Sequence, residues 1–168
     1  MKRLLIIVSM LCLISGIAMA QGGTAKYRGD VEFNLGNSQF LTFLEEVTTS
    51  HGIVFNDHFF AGVGVGIGLV TTFDEFFDAY YLPIFIDANY TFDQYSRIRP
   101  YVGGRFGAAL LDFDSLITGN ISSIYAGIQF QNRMTLQIRP SWQPFNQADQ
   151  YNQISGAFSF DIGFGYRF

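Results

Sequence analysis

The sequence contains little cysteine, proline or charge. Its 168 residues include one Cys, four Pro and one Trp, and only 14% are Asp, Glu, Lys or Arg. A secreted domain stapled by disulfides is therefore excluded, because such domains need several cysteines. The net charge of −4 argues against nucleic acid as a partner, which requires clustered basic residues. Disorder is excluded too, since 49% hydrophobic and 17% aromatic residues must be buried or meet lipid.

The N-terminal residues have the three parts of a secretory signal peptide. Lys2 and Arg3 precede an apolar run over residues 4–13, and Ala18-Met19-Ala20 offers the small residues that a signal peptidase reads. The run is shorter than the ~20 apolar residues of a spanning helix. We therefore predict a cleaved signal peptide over residues 1–20.

The mature domain is then expected over residues 21–168. It has no cysteine, because Cys12 leaves with the signal, and it has no apolar run of the length of a transmembrane helix. Any membrane span must therefore be made of strands, since only helices and closed barrels satisfy their backbone polar groups in lipid.

Seven stretches of the mature domain alternate between apolar and polar or small residues, which is the period of a β-strand with one apolar face. They lie near residues 27–35, 59–69, 81–90, 99–110, 124–130, 134–142 and 153–168. An eighth strand is predicted around Glu45 to Phe55, where Thr49 and His51 interrupt the apolar face. An even number of strands is typical of closed bacterial barrels.

The connections are predicted to differ in length at the two ends of these strands. Short polar turns are expected at 56–58, 93–97 and 131–133, and longer segments at 36–44, 71–79, 111–120 and 143–152. Short turns on one side and longer loops on the other are typical of outer-membrane barrels, whose turns are periplasmic.

Alternation alone fits both a soluble barrel with an apolar interior and a membrane barrel with an apolar exterior. The polar faces carry little Lys or Glu, and the strands reach the ~9–11 residues that cross hydrocarbon. Aromatic residues also crowd the turn ends, where an interfacial girdle belongs; they are Phe55, Phe59, Tyr90, Phe92, Phe130, Tyr166 and Phe168. These features favour a membrane barrel over a soluble lipocalin-like binding protein.

The C-terminal strand carries Asp161, Gly163, Tyr166 and Phe168. This spacing is similar to the assembly signal of outer-membrane barrels, and the strand rhythm of residues 25–168 resembles the OmpA/OmpX-like "outer membrane protein beta-barrel" family. The resemblance implies an all-β, eight-stranded antiparallel up-and-down transmembrane barrel in the bacterial outer membrane. It also implies contact with outer-membrane lipid and lipopolysaccharide, with the assembly machinery and with periplasmic chaperones, but it does not imply one activity.

The inward faces are predicted to carry charges of both signs. They are Arg28, Asp30, Glu32, Asp87, Arg99, Arg105, Arg139, Asp161 and Arg167, with Glu46 if the eighth strand has the expected register. Arginine pairs well with carboxylates, and glycines at 62, 64, 66 and 68 leave room for long side chains opposite. Because eight strands leave an interior just wide enough for side chains, a filled lumen is favoured over a narrow pore.

The predicted outer loops are acidic and lack Lys and Arg. One segment combines acids with phenylalanines: Phe73, Asp74, Glu75, Phe76, Phe77 and Asp78. Further acids are Asp112, Asp114 and Asp149. This pattern suggests a surface that meets a cationic partner or shares divalent cations with lipopolysaccharide, and a simply solvated loop set is the alternative.

Catalytic patterns are weak. His51 and His58 lie near one predicted turn, which is too little for a metal site, and the outer loops offer no nucleophile–base pair. The glycines from 62 to 68 precede no helix and so form no phosphate loop. We expect no enzyme and no cofactor, but a monomeric integral outer-membrane protein with a structural or surface-interaction role. A narrow pore or a route for small apolar molecules is the alternative.

Overall fold

The computed structural model describes residues 25–38, 42–72, 78–92, 96–110, 118–143 and 157–168. The predicted signal peptide lies outside these residues and stays a prediction. No helix in the described ranges is long and apolar enough to cross a membrane.

Eight antiparallel strands form one closed sheet. They are β1 (Ala25–Ser38), β2 (Thr42–Phe55), β3 (Phe59–Thr72), β4 (Asp78–Thr91), β5 (Ile98–Leu110), β6 (Thr118–Phe130), β7 (Met134–Gln143) and β8 (Ala157–Arg167). Each strand pairs with its neighbours in sequence, and β8 pairs with β1 to close the ring. The predicted up-and-down barrel is confirmed, including the eighth strand, which is β2.

The apolar side chains lie on the outside of this barrel. Ile86 is 63% exposed and Ile124 is 69% exposed, whereas Asp87, the inward-facing neighbour of Ile86, is 1% exposed. Interior polar residues and an apolar exterior are the arrangement of a membrane barrel and the inverse of a water-soluble one. The faces assigned from the alternation are therefore correct.

The two ends of the barrel have different connections. Ala25 and Phe168 lie at the end where β2 connects to β3, β4 to β5 and β6 to β7, which we call the terminal end. At the opposite end, which we call the loop end, the strands are connected by residues 39–41, 73–77, 111–117 and 144–156. Asn56, Asp57 and Arg133 have positive φ angles of 49°, 62° and 70°, and Asn and Asp tolerate this conformation better than most residues.

The predicted contrast in connection length is only partly correct. The segment expected at 36–44 shrinks to 39–41, because the β1–β2 ladder continues as far as the pair Ser38–Thr42. The segment expected at 71–79 shrinks to 73–77, because Thr71 pairs with Asp78. The residues at these strand ends, such as Asn37-Ser38 and Thr71-Thr72, do not alternate between apolar and polar, so the sequence pattern predicts longer connections than the structure has.

Two prolines interrupt the hydrogen-bonded ladders. Pairing between β6 and β7 stops after Ser123–Ser141 and resumes at Ala126–Ile138, and Pro140 lies in the gap. Pro140 still pairs with Phe160 on β8, so only one of its two ladders is broken. Proline has no N–H to donate, which explains the break.

Pro83 has the same effect on β4. The β3–β4 ladder has a gap between the pairs Val65–Ile84 and Gly68–Tyr81, while Pro83 pairs with Ala109 on β5. The sheet is thus closed, but its hydrogen-bonded pairing is interrupted at two places.

Candidate functional site

The barrel interior holds a network of buried ion pairs. Arg105 on β5 bridges two carboxylates: its Nη2 lies 2.6 Å from Glu32 Oε2, and its Nε lies 3.3 Å from Asp87 Oδ2. Tyr125 donates a hydrogen bond to Asp87, and Gln137 Nε2 donates to Glu32 Oε2 over 2.9 Å. All of these side chains are buried, so the charges are paired where water cannot solvate them.

A second cluster surrounds Arg139 on β7. Its Nη1 lies 2.7 Å from Glu46 Oε1 and its Nε lies 2.9 Å from Asp161 Oδ2. Tyr81 donates to Glu46 over 2.9 Å, and Ser159 donates to Asp161 over 3.0 Å. The register of β2 therefore does bring Glu46 into the interior, as the sequence suggested.

A third cluster lies toward the terminal end. Asp30 accepts from Arg28 at 3.0 Å and lies 3.5 Å from Arg167 Nε. The Arg28 guanidinium also lies 3.7 Å from the centre of the Phe60 ring, and that of Arg167 lies 4.0 Å from the centre of the Tyr101 ring. Cation–π contacts of this kind add to the ion pairs in a desolvated interior.

Arg99 does not join these clusters in the described part of the chain. It is partly exposed, and its Nε donates to the carbonyl of Ser96 over 3.4 Å. Arg99 was expected in the network because it shares the inward parity of Arg105. Arg99 is the second residue of β5 and lies at the mouth of the barrel. An inward-facing side chain at this position is too far from the buried carboxylates to pair with them.

Neutral polar side chains complete the network, and the sequence prediction had missed their role. Asn34, Asn89, Tyr101 and Gln137 are buried and bonded to other interior groups, for example Tyr101 Oη to Gln137 Oε1 over 3.1 Å. The alternation in the sequence places these residues on the same inward face as the charged residues, and this position could have identified them.

Large rings fill the space beside the glycines of β3. A Cβ atom added at Gly64 would overlap the Phe85 ring, and one added at Gly68 would overlap the Tyr81 ring. An interior cavity of about 20 Å³, lined by Glu46, Phe85, Arg105 and Arg139 among others, lies between the clusters. A space of this size holds about one water molecule, so these residues form a plug.

The two histidines lie on the outside near the terminal end. His51 is in β2, and His58 is in the following turn, with Nδ1 2.8 Å from the carbonyl oxygen of Thr91. Both therefore lie near one turn, as the sequence predicted. In the part of the chain that the structure describes, no three His, Cys, Asp or Glu side chains come together as a metal site.

The surroundings of His51 are satisfied in a way that does not activate a nucleophile. The carbonyl oxygen of Asp30, which can only accept, lies 3.1 Å from Thr49 Oγ1 and competes for its proton with His51 Nε2 at 3.0 Å. The other ring nitrogen lies 2.6 Å from the Tyr27 hydroxyl. A general base would instead have to accept the proton of the threonine.

The four C-terminal residues that are expected to form an assembly signal all lie within the described part of the chain. Asp161 and Gly163 face the interior, and Tyr166 and Phe168 lie on the outer surface. Phe168 exchanges two backbone hydrogen bonds of 2.8 and 2.9 Å with Gly29. The last residue of the chain therefore takes part in closing β8 onto β1.

The acidic and aromatic segment proposed as an interaction surface lies mostly outside the described residues. These are Phe73, Asp74, Glu75, Phe76 and Phe77, together with the further acids Asp112, Asp114 and Asp149. Asp78 is described as the first residue of β4.

Comparisons with solved structures show the same architecture. The outer membrane enzyme PagL aligns with 82% of this chain and 98% of its own at a TM-score of 0.62 and 15% identity. The N-terminal β-barrel domain of Pseudomonas aeruginosa OprF aligns over 86% and 100% of the two chains, with a TM-score of 0.52 and 15% identity. Neisserial surface protein A aligns over 85% and 97%, with a TM-score of 0.52 and 17% identity.

No protein-family model matches the chain, and no curated protein matches it in sequence. At these identities the structural likeness concerns the fold and not the activity. The chain has the fold of the small eight-stranded outer-membrane barrels, as the resemblance in its sequence predicted.

Proposed function

We propose that this chain is an integral protein of the bacterial outer membrane, a non-conducting barrel with a structural or surface-interaction role. The observation that carries the proposal is the combination of a lipid-compatible exterior with an interior occupied by paired charges. An exposed apolar surface of this extent would be unstable in water and is stable in lipid.

A belt of aromatic side chains at the terminal end supports membrane insertion. Tyr90 and Phe92 make an edge contact with ring centres 5.1 Å apart, and Phe55 and Phe59 lie 6.4 Å apart. Aromatic rings of this kind sit at the level of the lipid headgroups. Fractionation provides the test: the protein should stay in the outer-membrane fraction after a carbonate wash and leave it only with detergent. Release by carbonate alone would favour the soluble lipocalin-like alternative.

The filled interior supports a barrel that does not conduct. Arg105 and Arg139 reach carboxylates on other strands and lie on either side of the small cavity. In planar bilayers we expect no discrete conductance steps from the natural sequence, and we expect steps from the double variant Arg105→Ala and Arg139→Ala. Steps of equal size from both proteins would instead support the narrow pore.

The proposed partners are outer-membrane lipid and lipopolysaccharide, and the export and assembly factors that deliver a barrel to that membrane. The assembly machinery would read the C-terminal strand, in which Tyr166 and Phe168 face outward. Deleting Phe168 should lower the amount of protein inserted in cells. If the deletion variant is as stable as the natural sequence after refolding in detergent, the loss is one of recognition by the assembly machinery and not of barrel closure.

A surface role would be carried by the loop end, since loops on a rigid scaffold are where binding residues collect. Replacing Asp74, Glu75 and Asp78 by Asn and Ser should leave folding unchanged and weaken a divalent-cation-dependent surface interaction. Asp57→Asn is the control, because Asp57 is an exposed acid at the opposite, terminal end of the barrel. PagL is an outer membrane enzyme, but in the described residues the Thr49–His51 contact gives no support for enzymatic activity.

A further inference from the structure

The basic residues of the chain collect at the terminal end of the barrel. Apart from Arg105 and Arg139 in the interior and the residues of the predicted signal peptide, every Lys and Arg lies near that end. They are Lys26, Arg28, Arg97, Arg99, Arg133 and Arg167. The segments that connect the strands at the loop end contain acids but no Lys or Arg. The two ends of the barrel therefore carry charge of opposite sign.

Two of the basic side chains at the terminal end are exposed and unpaired. Lys26 pairs with Asp57, and the two arginines of the third cluster share Asp30. By contrast, Arg97 and Arg133 are exposed, and their side chains make no hydrogen bond or ion pair with the described residues. Their guanidinium groups are therefore available to a partner outside the chain.

Arg97 and Arg133 lie in neighbouring connections, and we call this pair the basic rim. Ile98, which follows Arg97, pairs with Phe130 on β6. The carbonyl of Phe130 in turn accepts from the backbone N–H of Arg133 over 3.0 Å, which closes the next turn. Asp93 is the one acid in the sequence of these two connections, and it lies outside the described residues.

The backbone of Arg133 has a conformation that does not favour arginine. Its φ angle is 70°, in the left-handed region that Gly and Asn adopt most readily. The other non-Gly residues with positive φ in the described part of the chain, Asn56 and Asp57, are of types that tolerate it. An unfavourable residue at such a position, with no bond that stabilises the fold, indicates that its side chain serves a function.

The basic rim lies beside the aromatic belt of the terminal end. Phe130 belongs to the same hairpin as Arg133, and Tyr166, which is 47% exposed on the outer face, pairs with the next residue, Met134. Aromatic rings of such belts lie at the level of the lipid headgroups. The guanidinium groups of the rim therefore reach the depth of the headgroup phosphates, whose oxygens match the fork of an arginine.

We propose that the basic rim binds the phosphate of an anionic phospholipid headgroup at the terminal end of the barrel. This inference rests on the proposed membrane location. Two unpaired arginines favour a headgroup with net negative charge, such as phosphatidylglycerol, over zwitterionic phosphatidylcholine, whose ammonium group they repel. The acidic loop end repels the same anionic lipid, so the preference belongs to one side of the membrane.

Native mass spectrometry of the detergent-purified protein tests the preference for the headgroup. Phosphatidylglycerol and phosphatidylcholine with identical acyl chains are added in equal amounts, and the ratio of the two complexes is measured. Arg97→Gln and Arg133→Asn each remove one charge from the rim. Lys26→Gln is the matched control, because it removes one charge at the same end from a side chain that is already paired with Asp57.

We expect the natural sequence and Lys26→Gln to retain phosphatidylglycerol in preference to phosphatidylcholine. Each rim variant should lose about fivefold of this preference, which corresponds to the roughly 1 kcal/mol that one basic residue contributes near an anionic lipid surface. Raising the concentration of ammonium acetate should weaken the preference of the natural sequence, because salt screens exposed charges.

Unfolding by denaturant in lipid vesicles separates lipid binding from a structural role of the rim. Arg133→Asn should be at least as stable as the natural sequence, because Asn tolerates the positive φ angle. A less stable Arg133→Asn with an unchanged lipid preference would assign this arginine to the fold and overturn the proposal.

The remaining outcomes are equally distinct. Equal retention of the two lipids by the natural sequence would overturn the headgroup preference and leave the membrane location intact. Equal losses in Lys26→Gln and the rim variants would show a diffuse attraction and overturn the site. Stronger retention of a short poly-glutamate peptide, lost in the same rim variants, would overturn the lipid as the partner. Retention of neither lipid by any of the proteins would contradict the membrane location itself.

Discussion

Arg105 and Glu32 are separated by 73 residues in the chain, yet Nη2 of the first lies 2.6 Å from Oε2 of the second inside the barrel. They belong to β5 and β1, which are four strands apart in either direction around the ring. Their ion pair therefore spans the lumen and connects opposite walls. This one contact both braces the barrel and occupies the space through which an ion would have to pass.

Arg105→Met should destabilise the barrel by about 3–5 kcal/mol, because it leaves Glu32 and Asp87 as buried charges without their partner. The free energy of unfolding, measured by denaturant titration in lipid vesicles, checks this value. Lys26→Met is the control, since the pair of Lys26 with Asp57 at 2.7 Å is solvent-exposed and such pairs contribute about 0–1 kcal/mol. Equal losses for the two variants would show that the interior network does not stabilise the fold.

Ile86→Arg should cost about 2–4 kcal/mol, the range for a basic residue on the lipid face near the midplane of a barrel. Ile86 lies well inside β4 and is 63% exposed on the outer face. Gln131→Arg, in an exposed turn at the terminal end, should change stability little. Refolding titrations in vesicles compare them, and equal tolerance of both substitutions would contradict the assignment of the outer face to lipid.

Gly107→Ala should destabilise the barrel by about 1–3 kcal/mol, the usual range for overpacking. A Cβ at Gly107 would overlap the backbone of Ile84 and Phe85 on the neighbouring strand, which cannot move aside without distorting the ladder. A Cβ at Gly29 would meet only the far end of the Phe168 ring, and this ring can rotate away. Gly29→Ala should therefore have a much smaller effect in the same unfolding measurement.

The fold was predictable from the sequence because a single rule, the alternation of apolar and polar residues, extends through all eight strands. Glu46 illustrates the reach of this rule: the parity of β2 predicted an interior position, and Glu46 pairs with Arg139 there. The rule weakens at strand ends, which is why the connections at 39–41 and 73–77 were predicted too long and why Arg99 was placed in the network.

The pairing across the interior was not predictable in the same way. Which inward side chains meet depends on the tilt and stagger of the strands, and alternation does not specify either quantity. The position of Arg105 opposite Glu32 therefore emerged only from the closed barrel. Pro140 signals an interrupted ladder, but the position of the gap, after the pair Ser123–Ser141, follows from the register of β6 and β7.

The orientation of the barrel in the membrane can be tested by cysteine labelling, because the predicted mature domain has no cysteine of its own. Asn120 lies near the loop end of β6, and Gln131 lies in the turn at the other end of the same strand, both with exposed side chains. In the proposed orientation the loop end is outside the cell and the turns are periplasmic, as in other outer-membrane barrels. A membrane-impermeant maleimide added to intact cells should label Asn120→Cys and not Gln131→Cys, and opening the outer membrane should make both reactive. Labelling of Gln131→Cys alone in intact cells would show the inverted orientation. The acidic loops would then face the periplasm, and a role for them at the cell surface would be excluded.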